Sequence, residues 1–463
     1  MSATSRLLQT WRPGEPLRIL SASGQLGYGI PADSLARGAE RRPHFIGCDM
    51  GSIDPGPYYL GSGEMAAPRE MVVRDLELVL QVARSLDVPL VIGSAGTAGA
   101  APQLAATVAL VREIAARRGL SFSVATIASD LDPAAIAQAS EQGRLSPIGP
   151  MPMPTAQAIR GCSHIVGQCG VETFRRAFDL SPDVVIAGRA CDTAIFATLP
   201  IMLGFDHGLA LHMAKIVECT SLCCTPGGRD AMLATLDVEG FELESMNPAC
   251  HATPASVAAH ALYEQADPFE VEEPEGTLDL RHARYQALDA HRTRVQGARF
   301  TARERPTLKV EGAAPLGHRV VLLAGTADPV LIGVLPQALA DVECKVRAMV
   351  PGEWTVHPHP YGLGAIRPLP PGGGSPAEVG LVVEFIGPHA GQVRAAAGVF
   401  KQNLLHHGFP GRVSTAGNVA FAFTPSELDA RQAYGFVLYH VLRDAPVESL
   451  FRVALEQVGA GSA

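Results

Sequence analysis

The chain has 463 residues, 47% hydrophobic and 18% charged, with a formal net charge of -9. That length exceeds one ordinary core, so about two domains are expected, and the acidic balance argues against a nucleic-acid or anionic-membrane binder. No apolar run approaches bilayer length, no secretory leader is evident, and nine cysteines without a CxxC pair point to reduced thiols in a cytoplasmic protein rather than to disulfides or structural zinc.

Residues Leu17-Arg18-Ile19-Leu20 read as a first strand, followed by a turn carrying Gly24, Gly27 and Gly29 and a short helix from Ala32 to Glu40. His44-Phe45-Ile46 begins a second strand, and the seventeen residues from Gly47 to Gly63 hold five glycines, two prolines, two aspartates and two serines. That composition predicts a long ligand-binding loop with no helix in it. Arg69 to Leu86 has apolar residues at helical spacing, and Val88 to Ile92 reads as a strand running into Gly93-Ser94-Ala95-Gly96-Thr97-Ala98-Gly99. A helix from about Gln103 to Arg118, a strand from Phe122 to Ala128 and a helix from Pro133 follow. Four prolines stiffen Ser146 to Pro154. Asp183 to Ala187 is a further strand, feeding Gly188-Arg189-Ala190-Cys191-Asp192-Thr193, then helices Ile195 to Met202 and Asp206 to about Cys219. The alternation predicts an α/β fold with a mainly parallel sheet and ligand loops at the strand ends.

Pro226-Gly227-Gly228 reads as a boundary, dividing the chain into a Rossmann-like domain, 1–225, and an α+β domain, 226–463. In the latter, Glu270 to Arg305 is charged and irregular. Strands are expected at Arg319 to Leu323, Val330 to Ile332 and Val382 to Ile386, and helices near Gly391 to Leu405 and Ala430 to Val441, with a Pro/Gly-rich loop at Pro368 to Pro376.

The first glycine turn spells G-x-x-G-x-G rather than the G-x-G-x-x-G of a dinucleotide site, so no nucleotide cofactor is expected. It remains either a tight turn or an anion site built from backbone N–H groups, with Ser23 and Gly24 as substrate contacts. Ser94, Gly96 and Thr97 can likewise offer donors to a carboxylate, and Ser52 lies in the long loop. Arg189 suits bidentate carboxylate recognition, with Asp49 and Asp192 as acid/base candidates and Tyr58 as a proton donor. A divalent metal is left open: Asp49, His164 and Glu172 could contribute, but no close ligand motif is present. Lys215 and Glu218 read as a solvated ion pair, Cys219 sits where a helix C-terminus raises a thiol pKa, and His357, His359, His406 and His407 read as surface residues.

Four runs together, Gly47 to Gly63, Gly188 to Thr193, Thr253 to Glu264 and Pro410 to Asn418, resemble the acyclic terpene utilisation AtuA-like family, over about Leu17 to Asp444. The resemblance implies a role in catabolism of branched or terpenoid acids and other small carboxylates, in a branch paired with a small companion protein. It supplies no mechanism residue by residue. Two segments depart from the branch pattern: Ala416 to Phe423 has Ala422 where proline is expected, and Pro360 to Ala365 lacks the expected lysine and asparagine. The resulting expectation is a hydro-lyase acting on a small carboxylate, in a homo-oligomer. The alternatives are an acyl or CoA-thioester hydrolase or transferase, and a non-catalytic binding or assembly subunit.

Overall fold

The computed structural model describes residues 1–263, 267–370, 374–413 and 416–459. It divides into one unit made of Met1–Ala314 with Phe436–Ala463 and a second made of Pro315–Gly435. The division expected at 225/226 falls inside the first unit. Beyond Pro226, Met232–Leu236 pairs antiparallel with Leu17–Ser23 and so extends the same sheet.

That sheet has ten strands. Its centre is parallel, in the order Leu17–Ser23, Phe45–Asp49, Leu90–Gly93, Val184–Ala187, Phe122–Ala128. Beside Leu17–Ser23 lie four antiparallel strands, Met232–Leu236, Phe241–Ser245, Arg292–Gln296 and Arg284–Ala287. On the other edge, Arg452–Val458 runs antiparallel to Phe122–Ala128. A mainly parallel sheet is therefore corrected to a mixed one in an α/β fold. The antiparallel strands are short, and two of them, Arg284–Ala287 and Arg292–Gln296, are drawn from the charged stretch.

The central strands are short continuous apolar runs because both faces are covered. Ile46, Leu90, Ile92 and Ile186 pack with Leu76, Val79, Val111 and Ile114 of helices Arg69–Leu86 and Ala101–Arg118. Their neighbours Phe45, Val91 and Val185 face Phe174 and Phe196 of helices Val171–Asp179 and Asp192–Met202. The helix Asp192–Met202 sits close to the sheet because two strand positions have no side chain. A Cβ on Gly47 would lie 2.2 Å from Phe196 Cε1, and one on Gly93 would lie 2.3 Å from Ile195 Cδ1. This close seat brings the first turn of the helix, with Asp192, to the carboxyl ends of the strands.

The glycine turn after the first strand is occupied by an anion of the protein's own. Asp75, buried on helix Arg69–Leu86, accepts from the backbone N–H groups of Gly27 (3.0 Å), Gly29 (2.9 Å) and Ile30 (3.0 Å). These donors are thus not available to a substrate or a nucleotide phosphate. Asp75→Asn turns one acceptor oxygen into a donor facing N–H groups, and the expected cost is about 1–3 kcal/mol in urea unfolding. A cost within a few tenths would show that the carboxylate does not hold the turn.

In the second unit, His318–Thr326 pairs antiparallel with Val379–Gly387, which pairs with Thr355–Tyr361. Helices Pro329–Met349 and Ala390–Leu405 close one core with them through Leu335, Val342, Phe385 and Phe400. Two expectations are corrected. Val330 to Ile332 belongs to a helix, started by Asp328, whose carboxylate accepts from the N–H of Val330 (2.8 Å), with Pro329 behind it. Ala430 to Val441 lies in a strand, Glu427–Leu442, where Leu438, His440 and Leu442 are buried in alternation. The loop at Pro368 to Pro376, and the motif positions Glu264, Ser414 and Thr415, fall partly or wholly outside the described residues.

Candidate active site

The carboxyl ends of the parallel strands meet as expected. Asp49 ends one strand, Ser94 follows the next, and Arg189 and Asp192 follow Val184–Ala187. Asp49 is buried and accepts from the N–H of Met50 (2.9 Å). Ser94 adopts a positive φ of 51°, and its Oγ accepts from Arg189 Nη1 at 3.2 Å. The chain bends tightly here: Arg189 N–H donates to the Gly99 carbonyl, and a Cβ on Gly99 would lie 2.0 Å from Arg189 N.

Arg189 is buried and its bidentate edge is already filled. Nε donates to Glu311 Oε2 at 2.7 Å and Nη2 to Glu311 Oε1 at 3.2 Å. Glu311 is wholly buried and also accepts from Gln168 Nε2 at 2.9 Å. It reaches this place because Val310–Ala313 pairs with His164–Gly167, setting Glu311 opposite Val166. Burial alone would raise the Glu311 carboxyl, but Arg189 outweighs it and holds the pKa below the usual range. The guanidinium thus organises the site from within rather than offering a clamp to substrate.

Around this pair lies a cleft of about 460 Å³ lined by polar side chains, among them Ser52, Gln168, Asp192, Lys215, Glu218, Glu273 and Lys309. Lys215 and Glu218 form a buried pair at 3.0 Å, not a solvated one. Thr193 Oγ1 donates to Glu273 Oε2 at 2.9 Å. Lys309 Nζ stands 4.4 Å from the Tyr439 ring centroid and 3.5 Å from Glu311 Oε1. Cys191 Sγ donates to the Gln168 carbonyl at 3.7 Å.

Crowded buried carboxyls keep their protons to higher pH than usual. Burial raises Asp49, Asp192 adds to the rise, and Arg189 opposes it. Burial also raises Asp192, against the pull of Arg189, Lys215 and Lys309, and its Oδ1 is buried with no hydrogen-bond partner. Glu273 is raised by burial to about 8 from 4.5. A carboxyl raised in the folded state binds more protons there than in the unfolded chain. Stability from Glu273 is therefore present at low pH and lost as pH climbs from about 4.5 to about 8, by up to about 1.4 kcal/mol per pH unit. In Glu273→Gln this loss is expected to disappear, which unfolding midpoints at about pH 5 and about pH 8 would test. An unchanged slope would place the titration elsewhere.

Of the other expected residues, Ser52 lines the cleft, with its Oγ accepting from Asp54 N–H at 3.2 Å. Thr97 Oγ1 accepts from Ala66 N–H and Gly96 N–H donates to Met50 Sδ, so both serve the loops themselves. Tyr58 is not among the cleft residues: it lies in a short helix, Pro57–Ser62, inside the segment expected to be loop, and its hydroxyl donates to Glu64 at 3.1 Å. Helix formation there starts with Pro57 in the first turn, where a missing N–H costs nothing. Ser23 and Gly24 line a separate cavity of about 190 Å³ with Tyr28, Cys219 and Arg229. Glu273, Lys309, Glu311 and Tyr439 were not singled out by the sequence: long-range antiparallel pairings place the strands of Lys309, Glu311 and Tyr439, and Glu273 lies in a hairpin within the stretch that read as irregular. Among the described residues no group of three or more His, Cys, Asp or Glu side chains is placed to hold a metal ion, and no helix is long and apolar enough to cross a membrane.

Residues 64–230 match the model of the acyclic terpene utilisation family protein AtuA. Over that segment the chain is similar to this family. The matched segment carries Gln168, Arg189, Cys191, Asp192, Thr193, Lys215 and Glu218 of the cleft lining. No curated protein matches the chain, and no solved structure does.

Proposed function

We propose that the protein is an enzyme of small-carboxylate catabolism that removes or adds water by general acid–base catalysis. The observation that carries this reading is the pairing, in one cleft, of Asp192, with an unpartnered buried oxygen, and Glu273, with a pKa of about 8, beside Lys215 and Lys309. In a dehydration, Asp192 takes the proton from the carbon next to the substrate carboxylate. The electron pair forms the new double bond, the C–O bond breaks, and the leaving hydroxyl takes the proton of Glu273 and departs as water. A carboxyl base raised by burial and an acid with a pKa of about 8 suit both transfers. No step requires a nucleotide.

An acyl or thioester hydrolase is the second reading, because Cys191 also lines the cleft. It is weaker: burial and then Glu273 raise the thiol, and the group nearest its sulfur is a carbonyl rather than a base. The test is to incubate the protein with short hydroxy acids in deuterated water and follow hydrogen exchange and alkene formation by NMR. Exchange next to the carboxylate supports the lyase. Tight binding of an acid without exchange or product would instead favour a binding subunit that works with a separate companion protein.

A further inference from the structure

The cleft's charge inventory narrows the ligand further, resting on the reading of this site as a carboxylate site. Arg189 is answered by Glu311, and Lys215 by Glu218. Lys309 is different. Its nearest acid is Glu311, whose two oxygens already receive Arg189 and Gln168, and its side chain is 30% exposed at the cleft wall beside the Tyr439 ring. One cation thus remains whose counter-charge is engaged elsewhere. The rest of the wall consists of acids and neutral hydrogen-bonding groups, including Ser52, Asp54, Gln168, Thr193 and Glu272. Val271, Cys191 and Tyr439 are the apolar or aromatic residues in the lining.

We infer that Lys309 is the residue that receives the substrate carboxylate, and that the substrate is a short, hydroxylated monocarboxylate rather than a branched hydrocarbon acid or a dicarboxylate. A single available cation balances a single anionic group. A second carboxylate would face Asp192 and Glu218 and be repelled. A terpenoid chain needs apolar walls to gain from leaving water, and this cleft offers hydrogen-bonding groups in their place. Substrate hydroxyls suit those groups, since a buried polar wall left unpaired is costly. The raised Glu273 carboxyl, still protonated near neutrality, adds a donor for one such hydroxyl.

The test compares the unmodified protein with Lys309→Met and Lys309→Arg on three panels: short hydroxy monocarboxylates, the matching dicarboxylates, and branched long-chain acids. Binding is read by calorimetry and turnover by NMR. Loss of a charge-assisted contact should raise Kd and KM for the hydroxy monocarboxylates about 10- to 100-fold in Lys309→Met, with kcat changed much less and with partial rescue in Lys309→Arg. Unchanged affinity in Lys309→Met overturns the Lys309 assignment. A preference for branched long-chain acids or dicarboxylates overturns the substrate class. Binding that follows this pattern without turnover supports the inference and removes the lyase reading instead.

Discussion

Arg189→Met is expected to destabilise the protein by about 3–5 kcal/mol, read as a lowered urea midpoint. The reason is the charge left behind: Glu311 is wholly buried, and its two oxygens face Arg189 at 2.7 and 3.2 Å. Without the guanidinium the carboxylate must stay charged in a low dielectric or take up a proton, and either outcome costs free energy. Arg189 Nη1 also ties Ser94 Oγ and the Gly51 carbonyl, so two loops lose an anchor. The double substitution Arg189→Met with Glu311→Met removes both charges and should recover much of the loss. A single-variant cost below about 1 kcal/mol would mean that the pair does not organise this site. Activity should fall with stability, so activity loss alone would not assign Arg189 to substrate.

Asp192→Asn is expected to lower kcat by about 10²- to 10⁴-fold, the range for a positioned proton-transfer group. Stability should move little or rise. The wild-type carboxyl is raised by burial, which means that its charged form is disfavoured where it sits, and the neutral amide of the same shape avoids that cost. The combination separates a proton-transfer role from a structural one: a catalytic carboxyl gives lost turnover with a retained unfolding midpoint. If turnover persists within a few-fold, Asp192 is not the base. The pH profile offers a second reading, since removing Asp192 relieves one cause of the rise at Asp49 and Glu273 and should shift the alkaline limb downward.

The site's centre was legible because it follows from topology. Ligand loops at the carboxyl ends of parallel strands place Asp49, Ser94, Arg189 and Asp192 together without knowledge of packing. What chemistry each can perform was less legible, because it depends on burial. Lys215 and Glu218, three residues apart, look like a surface pair until helix His207–Val217 is seen buried along most of its length. Its nearly all-apolar sequence, Gly-Leu-Ala-Leu-His-Met-Ala, was the available signal. Asp75 carried a signal too, as a charge on the buried stripe formed by Val72, Leu76, Val79 and Leu80. Such a charge must find donors, and the open N–H groups of a glycine turn are where it finds them. Glu311 had no local signature, since its position is set by pairing with Val166, more than a hundred residues away in the chain, while Glu273 sits in a hairpin, Glu270–Glu273 with Gly276–Asp279, inside a stretch that read as irregular.

The cleft's composition has an evolutionary consequence. Ser52 and Asp54 precede the segment that matches the family model, and Glu272, Glu273, Lys309 and Tyr439 follow it. The matched segment carries one catalytic candidate, Asp192, while Glu273 and Lys309, to which the proposals above give roles toward the ligand, lie outside it. Two chains can therefore share residues equivalent to 64–230 and still diverge in what they act on. A match over residues 64–230 is compatible with a substrate quite unlike a terpene.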